Sequence, residues 1–317
     1  MQTIELIYPH SYDSEDLPET VAAIGFFDGI HKGHQKVIKT AVDYAQANDL
    51  TSAVITFYPH PSVVLRDDVR EVKYITPPAE KQNILQKMGI DKLYIIRFNK
   101  ELSLLPPQVF IDHFIAGLNV KHLVAGFDFS YGHKGKGNMC TIDDHSKGRF
   151  ATTTVPKVEF DGEKVSSTKI RQLLKNGDIH KVNQLLGRCL TISGRVVEGN
   201  KRGHTLGYPT ANLDVDPEAL LPKPGIYAVK VVYQHQVYEA MASLGFNPTF
   251  ENNRNKPVLE VNILDFSDNL YGEKLRLEWH AFIREEQKFS DVQALIQEMA
   301  NDEKKVRHYF AHHSEQM

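Results

Sequence analysis

Cysteine is almost missing from the 317 residues: Cys140 and Cys189 are the only two, too few for a disulfide framework. Long apolar runs are missing as well. The longest stretch free of Asp, Glu, Lys and Arg runs from Leu50 to Leu65 and carries His60 and two prolines. A spanning helix needs about 20 mostly apolar residues, so no membrane partner is expected. The opening MQTIELIYPHSYDSED has neither a basic n-region nor an apolar h-region, which argues against a secretory leader. With so few cysteines, a reducing cytoplasm is the expected location. A basic excess is also lacking: 37 Lys+Arg against 40 Asp+Glu leave a net charge of −3, which gives no support to a nucleic-acid partner. No G-x-x-x-x-G-K-[ST] sequence occurs, so a P-loop NTPase is not expected.

What remains is an ordinary globular composition, 41% hydrophobic and 24% charged, in a chain long enough for two domains at roughly 150 residues each. The first half alternates β-branched runs with amphipathic stretches, the pattern of a doubly wound α/β domain. VAAIGFF, SAVITFY, KLYIIRF and HLVAGFDF read as strands. Between them, Val37, Ile38, Ala41, Val42 and Ala45 form one helical face, and Thr76 is positioned to cap the helix of PPAEKQNILQKMG. Two short helical segments, SSTKIRQLLKNG and DIHKVNQLLG, then lead into five strand-like runs with short connections, implying an antiparallel barrel or sandwich. A last amphipathic helix is expected to pack through Val292, Leu295, Ile296 and Met299.

Chemistry concentrates where GFFDGIHKGH (residues 25–34) joins a strand to a helix, the place where open α/β sheets bind ligands. Gly25, Gly29 and Gly33 allow close backbone approach. His31 and His34 sit at the helix start, where imidazoles and free N–H groups can meet a phosphate. A surface HxxH is the bland alternative. TFYPHP (residues 56–61) ends the next strand at the same sheet edge and contributes His60 and Pro61, although a rigid proline turn would look the same. VAGFDFSYGHKGKGN (residues 124–138), with Asp128, Phe129 and Tyr131, is a strand and a glycine-rich loop suited to wrapping an aromatic or phosphate ligand. SSTKIR (residues 166–171) opens a helix with Ser166, Ser167, Thr168 and Arg171, groups that bind phosphates or simply cap.

In the second half, GNKRGHTLGYPTAN (residues 199–212) follows a strand. Gly203 and Gly207 could let it fold over ATP phosphates, and the Thr210 hydroxyl and Asn212 carbonyl suit a hard cation such as Mg²⁺. Glu260 alternates with Leu259 and Val261 on a strand, a candidate base if it faces a ligand and an ordinary solvated carboxylate otherwise.

Taken together, GFFDGIHKGH, TFYPHP, GFDFSYG and VSSTKIR resemble, in order and spacing, the nucleotidyltransferase module of the bacterial bifunctional riboflavin kinase/FMN adenylyltransferase family. KRGHTLGYPTAN, PKPGIYAV, GFNPTF, LEVNILDFSDNLYG and IREEQKF resemble its riboflavin kinase module, so the likeness covers nearly the whole chain. The resemblance implies a Rossmann-like domain over residues 1–184 and an antiparallel β-barrel kinase domain with a terminal helix over 185–317. It implies phosphorylation of riboflavin to FMN, releasing ADP, then adenylylation of FMN to FAD, releasing pyrophosphate, with ATP as substrate and Mg²⁺ as cofactor. It places His31 and His34 in adenylyl transfer. Gly25, Phe27, Asp28, Gly33, Ser166, Ser167, Thr168 and Arg171 go to its nucleotide phosphates, and His60, Pro61, Asp128, Phe129 and Tyr131 to flavin. Glu260 becomes the kinase base, Thr210 and Asn212 the metal ligands, and Gly203 and Gly207 the phosphate loop. Asn262 departs from the family's frequent histidine. A monofunctional enzyme with a vestigial domain, or a flavin- or RNA-binding regulator, fits less well, because both halves keep their motifs and the net charge is negative. Homo-oligomerisation is left open by the sequence.

Overall fold

The computed structural model describes residues 1–199, 207–246 and 257–313. The chain divides into two compact units, Met1–Ser167 and Thr168–Met317.

In the first unit the order is β1 (Gln2–Leu6), β2 (Thr20–Ile24), α1 (Lys32–Ala47), β3 (Thr51–Tyr58), α2 (Pro61–Leu65), α3 (Pro78–Lys87), β4 (Lys92–Arg97), α4 (Lys100–Ser103), α5 (Pro107–Phe114) and β5 (Val120–Gly126). The two-residue strands β6 (Ser130–Tyr131) and β7 (Gly137–Asn138) follow, then α6 (Ile142–Ser146), β8 (Ala151–Val155), β9 (Glu159–Phe160) and β10 (Glu163–Lys164). Six strands form one sheet in the order β1-β4-β3-β2-β5-β8, every neighbour parallel. β2 is buried at all five positions, as a central parallel strand must be. Ala22 and Ile24 pack with Tyr94, Phe110 and Phe114 on one face, while Val21 and Ala23 pack with Val37, Ile38 and Leu93 on the other. From β2 the chain passes to β3 on one side and later to β5 on the other, so the switch in strand order lies at the end of β2.

The helical face expected of α1 is buried in full. Thr76 is not the cap of α3: Pro77 holds that position without a side-chain bond, and the buried Thr76 gives its N–H to Asp28 Oδ1 at 3.1 Å. A proline at the helix entry moves the boundary past the hydroxyl. Strands β1 and β8, at the two sheet edges, are additions to the expected set.

α7 (Ser167–Asn176) starts on the last residue of the first unit and otherwise belongs to the second, which continues with α8 (Ile179–Leu186), β11 (Leu190–Val197), β12 (Ala211–Val215), β13 (Gly225–Tyr233), β14 (Gln236–Phe246), β15 (Pro257–Ile263), β16 (Lys274–Arg284) and α9 (Val292–His313). Its strands close into a barrel, β11-β12-β15-β14-β13-β16, which decides between barrel and sandwich. The expected boundary at 184/185 falls inside this unit, because α7 and α8 pack on the barrel. Asn183 donates to the Trp279 carbonyl and accepts from Leu190 N–H, both at 2.8 Å, and Lys223 N–H bonds the Leu174 carbonyl at 2.9 Å. α9 covers Ile226, Ala228 and Met241 with Val306 and Phe310. The expected contact through Val292 is corrected: that side chain is 57% exposed, and Leu295, Ile296 and Met299 are half-buried. The buried face instead includes Asp302, held by Arg284 through bonds of 2.7–3.0 Å. No helix of the described residues is long and apolar enough to cross a membrane.

Candidate active sites

The turn after β2 is tight. Gly25 N–H continues the ladder to the Ile55 carbonyl, and Phe27, Gly29 and Ile30 then take positive φ values of 51°, 88° and 41° to bring the chain into α1. His31 caps α1, its Nδ1 accepting the His34 N–H at 3.2 Å. One turn on, the His34 ring stacks on it with centroids 3.6 Å apart. A Cβ on Gly33 would come within 3.2 Å of the His31 ring, which explains the small residue between the two histidines. His34 Nδ1 is buried and has no hydrogen-bond partner among the described residues. Burial lowers the His31 imidazole to about 4. It also pushes His34 well below the usual range, helped by His31, Lys81 and Lys164. Both rings are therefore neutral N–H carriers at pH 7, open to gain affinity for a proton when phosphate charge arrives.

A cavity of about 630 Å³ opens at this point. Gly25, Phe27, His34, Pro61, Asp128, Phe129 and Tyr131 all line it, so the structure brings three separate sequence segments onto one space. Its walls add Phe57, Phe98, Phe110 and Leu102, aromatic and aliphatic surface of the kind that holds a planar ring system. Tyr131 is itself part of the core, stacked near Phe110 and Phe129 and bonded through its hydroxyl to His145 at 2.7 Å. Asp128 pairs with Lys164 at 2.6 Å.

Other expected residues stand behind the wall. His31, Asp28, Gly33 and His60 do not line the cavity. Asp28 ties the turn together: its carboxylate takes Thr76 N–H and its carbonyl takes the Ser167 hydroxyl at 2.8 Å. His60 caps α2, bonds Ser62 Oγ at 2.6 Å and meets Phe26 edge-on at 4.5 Å. Ser166 belongs to the first unit, whereas Thr168 and Arg171 belong to the second.

Sequence reasoning missed Lys81. It sits on α3, only 7% exposed, and its ammonium donates to the Phe26 carbonyl at 2.8 Å and to Thr56 Oγ1 at 3.4 Å, 5.0 Å from the Phe26 ring centroid. Burial lowers it to about 8, opposed by Asp28. The signal was a lysine at a position of the helix that packs inward with Ile84 and Leu85, which a charge-blind reading of the amphipathic face passes over.

On the barrel, register does what periodicity could not. Asn212 on β12 lies directly opposite Glu260 on β15, and Ser243 on β14 lies opposite it on the other side. Leu259 and Val261 are 1% exposed and face the barrel interior, so Glu260, Asn212 and, two residues back, Thr210 share the outer face. All three are half-buried. Asn262 is buried on that face as well, donating to the Pro209 carbonyl at 2.8 Å, next to Thr210. A Cβ on Gly199 would fall 2.0 Å from the Asn212 amide, so the glycine leaves that side chain room in its present position. Gly207 is described, with φ +82°, and Gly203 lies outside the described residues.

A helix-start histidine pair thus stands at a sheet switch point, where open α/β sheets bind ligands, and an acid lies beside oxygen-bearing side chains on a closed barrel. The FAD synthetase family profile matches residues 13–169 and the riboflavin kinase profile matches residues 186–310. Proteins named bifunctional riboflavin kinase/FMN adenylyltransferase are similar along nearly their full length. The one from Listeria monocytogenes is 44% identical over 311 residues, 98% of this chain and 99% of the relative, and the one from Bacillus subtilis is 42% identical over 312 residues, again 98% and 99%. A solved Streptococcus pneumoniae chain described as a macrolide-efflux protein superposes with a TM-score of 0.87 at 35% identity, covering 97% of this chain and 99% of that one. The chain belongs to the bifunctional riboflavin kinase/FMN adenylyltransferase family.

Proposed function

We propose how the two ATP-dependent steps of this family, riboflavin to FMN and FMN to FAD, divide among the residues of this chain. In the first unit the aromatic cavity holds the isoalloxazine ring of FMN, with Pro61, Asp128, Phe129 and Tyr131 on its walls and His60 bracing them through Phe26. The FMN phosphate, already ionised at neutral pH, attacks the α-phosphate of ATP, so no strong base is needed. His34 donates to the charge developing on that phosphorus, and His31 fixes its ring by capping and stacking. Gly25, Phe27, Asp28 and Gly33 shape the turn around the triphosphate, and Ser166 and Ser167 of the same unit share the nucleotide role. Pyrophosphate leaves.

In the second unit the nucleophile is a neutral alcohol, the ribityl 5′-hydroxyl, and Glu260 accepts its proton as it attacks the γ-phosphate of ATP, leaving ADP. The Thr210 hydroxyl and Asn212 carbonyl fit Mg²⁺, being hard oxygen donors on one face directly beside the acid, with Gly199 clearing space against Asn212. When bound, the cation neutralises phosphate charge. Asn262 keeps Pro209, and with it Thr210, in place. The phosphate loop is assigned to Gly203 and Gly207.

The observation that carries this reading is the convergence of residues from GFFDGIHKGH, TFYPHP and GFDFSYG on one cavity. Paired substitutions test it. His34→Ala is expected to abolish FAD formation from FMN while riboflavin phosphorylation continues, and Glu260→Ala the reverse. Equal losses of both activities in either variant would contradict separate sites.

A further inference from the structure

Outside both sites, three side chains of metal-ligating type meet on the outer face of the barrel. Cys189 stands just before β11, whose Leu190 pairs with Trp279 and Thr191 with Glu278 of β16, which brings the cysteine alongside His280. On the other side of β16 the ladder slips: Val229 pairs with Trp279 but Ala228 pairs with Ala281, leaving His280 as the extra residue of a bulge. Such a bulge re-aims a side chain. Here it sets His280 Nε2 3.8 Å from Cys189 Sγ. One ligand atom from each of Cys189, Glu278 and His280 lies within 4.8 Å of the others, the one such group of three among the described residues.

Those distances have a chemical meaning. Around tetrahedral zinc, bonds of about 2.3 Å to sulfur and about 2.0–2.1 Å to nitrogen give a sulfur–nitrogen edge of roughly 3.6 Å, close to the separation already present. We propose that Cys189, Glu278 and His280 form a binding site for a thiophilic divalent cation, Zn²⁺ in type, with a fourth position open to water. A thiol and an imidazole suit that class and disfavour hard Mg²⁺, which separates this site from the one at Thr210 and Asn212.

The surroundings fit a structural role. His280 is 6% exposed, with the Phe310 ring of α9 at 5.3 Å and the Tyr309 ring at 6.4 Å. Burial, followed by the charge of Lys230, lowers this imidazole to about 4, so its lone pair is available at neutral pH. The Cys189 thiol, held up to about 11 by burial and then by Glu278, gives its proton to solvent as the metal–sulfur bond forms. In the metal-free chain Arg276 pairs with the Glu278 carboxylate at 3.2 Å, while Lys230, opposite Glu278 across β13–β16, rests its ammonium over Phe310. The metal replaces Arg276 at the carboxylate. Bound there, it joins the start of β11 to β16 beneath α9, far in the ladder from the Glu260 face.

The test uses the full-length, flavin-free protein stripped with EDTA and titrated with Co²⁺ in the absence of nucleotide. The expected result is one equivalent of Co²⁺ with a thiolate-to-metal charge-transfer band and tetrahedral d–d bands, displaced by Zn²⁺. Cys189→Ser is expected to lose the charge-transfer band, and Glu278→Gln and His280→Gln to weaken binding at least about tenfold. Cys140→Ser is expected to leave the spectrum unchanged. If Cys189→Ser does not fold by circular dichroism, the His280→Gln titration decides. No band in the parent protein, a band that follows Cys140, or an affinity indifferent to both Glu278→Gln and His280→Gln would overturn the proposal.

Discussion

Lys81→Met is the perturbation that most sharply separates function from stability in the first unit. The native side chain carries a charge in a place only 7% exposed, and the drop from 10.5 to about 8 means that folding disfavours the charged form by about 3 kcal/mol. Met fills a similar volume and removes that penalty. It also gives up the charged hydrogen bond to the Phe26 carbonyl, worth about 1.5–3 kcal/mol. The two effects nearly cancel, so thermal unfolding should shift by no more than a few degrees, in either direction. Catalysis has no such compensation. The ammonium anchors the Phe26 carbonyl one residue before the strained Phe27, and adds positive potential beside His34, the group proposed above to meet the phosphate charge. A loss of at least about tenfold in FMN adenylylation, roughly 1.4 kcal/mol in the barrier, is expected with riboflavin phosphorylation unchanged. Single-turnover conversion of FMN, followed by chromatography beside a melting curve, reads both. Adenylylation within about twofold of the parent protein would refute the reasoning.

Three further outcomes follow from the geometry. Asn262→Leu strands the Pro209 carbonyl that Asn262 now satisfies, so riboflavin phosphorylation should fall about tenfold through a raised KM for MgATP while adenylylation holds; Asn262→His should recover most of it. Gly199→Ala drives a Cβ into the Asn212 amide and should damage the kinase alone, readable in the same product assay. Acid should destabilise the first unit early. His31 is about 4 when folded and near 6.5 when unfolded, so the unfolded chain binds more protons in that window. Stability is complete above pH 6.5 and declines toward pH 4, by about 3 kcal/mol from this residue, and His31→Asn should flatten the decline in urea melts taken across that range.

The central strands and α1 were legible because burial on both sides makes β2 uniformly apolar and because the α1 face repeats at helical spacing. β1 and β8 were not, since each of these edge strands buries only its last residue, Leu6 and Val155. The face of α9 was half legible: Leu295, Ile296 and Met299 are half-buried, but its buried centre holds Asp302, a charge that the pairing with Arg284 makes tolerable. At the sites, motif position at the end of β2 gave the location, and the cavity residues Gly25, Phe27, His34, Pro61, Asp128, Phe129 and Tyr131 were in hand. Phe98, Phe110 and Lys81 were not, because they arrive from α3, α5 and the end of β4 with nothing local to mark them. The pairing of Glu260 with Asn212 needed register between strands far apart in sequence.

The most direct measurement incubates the purified chain with Mg²⁺ and ATP, plus either riboflavin or FMN, and separates the flavins by chromatography. Riboflavin should give FMN and then FAD, and FMN alone should give FAD. Absence of either conversion under varied metal and redox conditions would contradict two working sites on one chain.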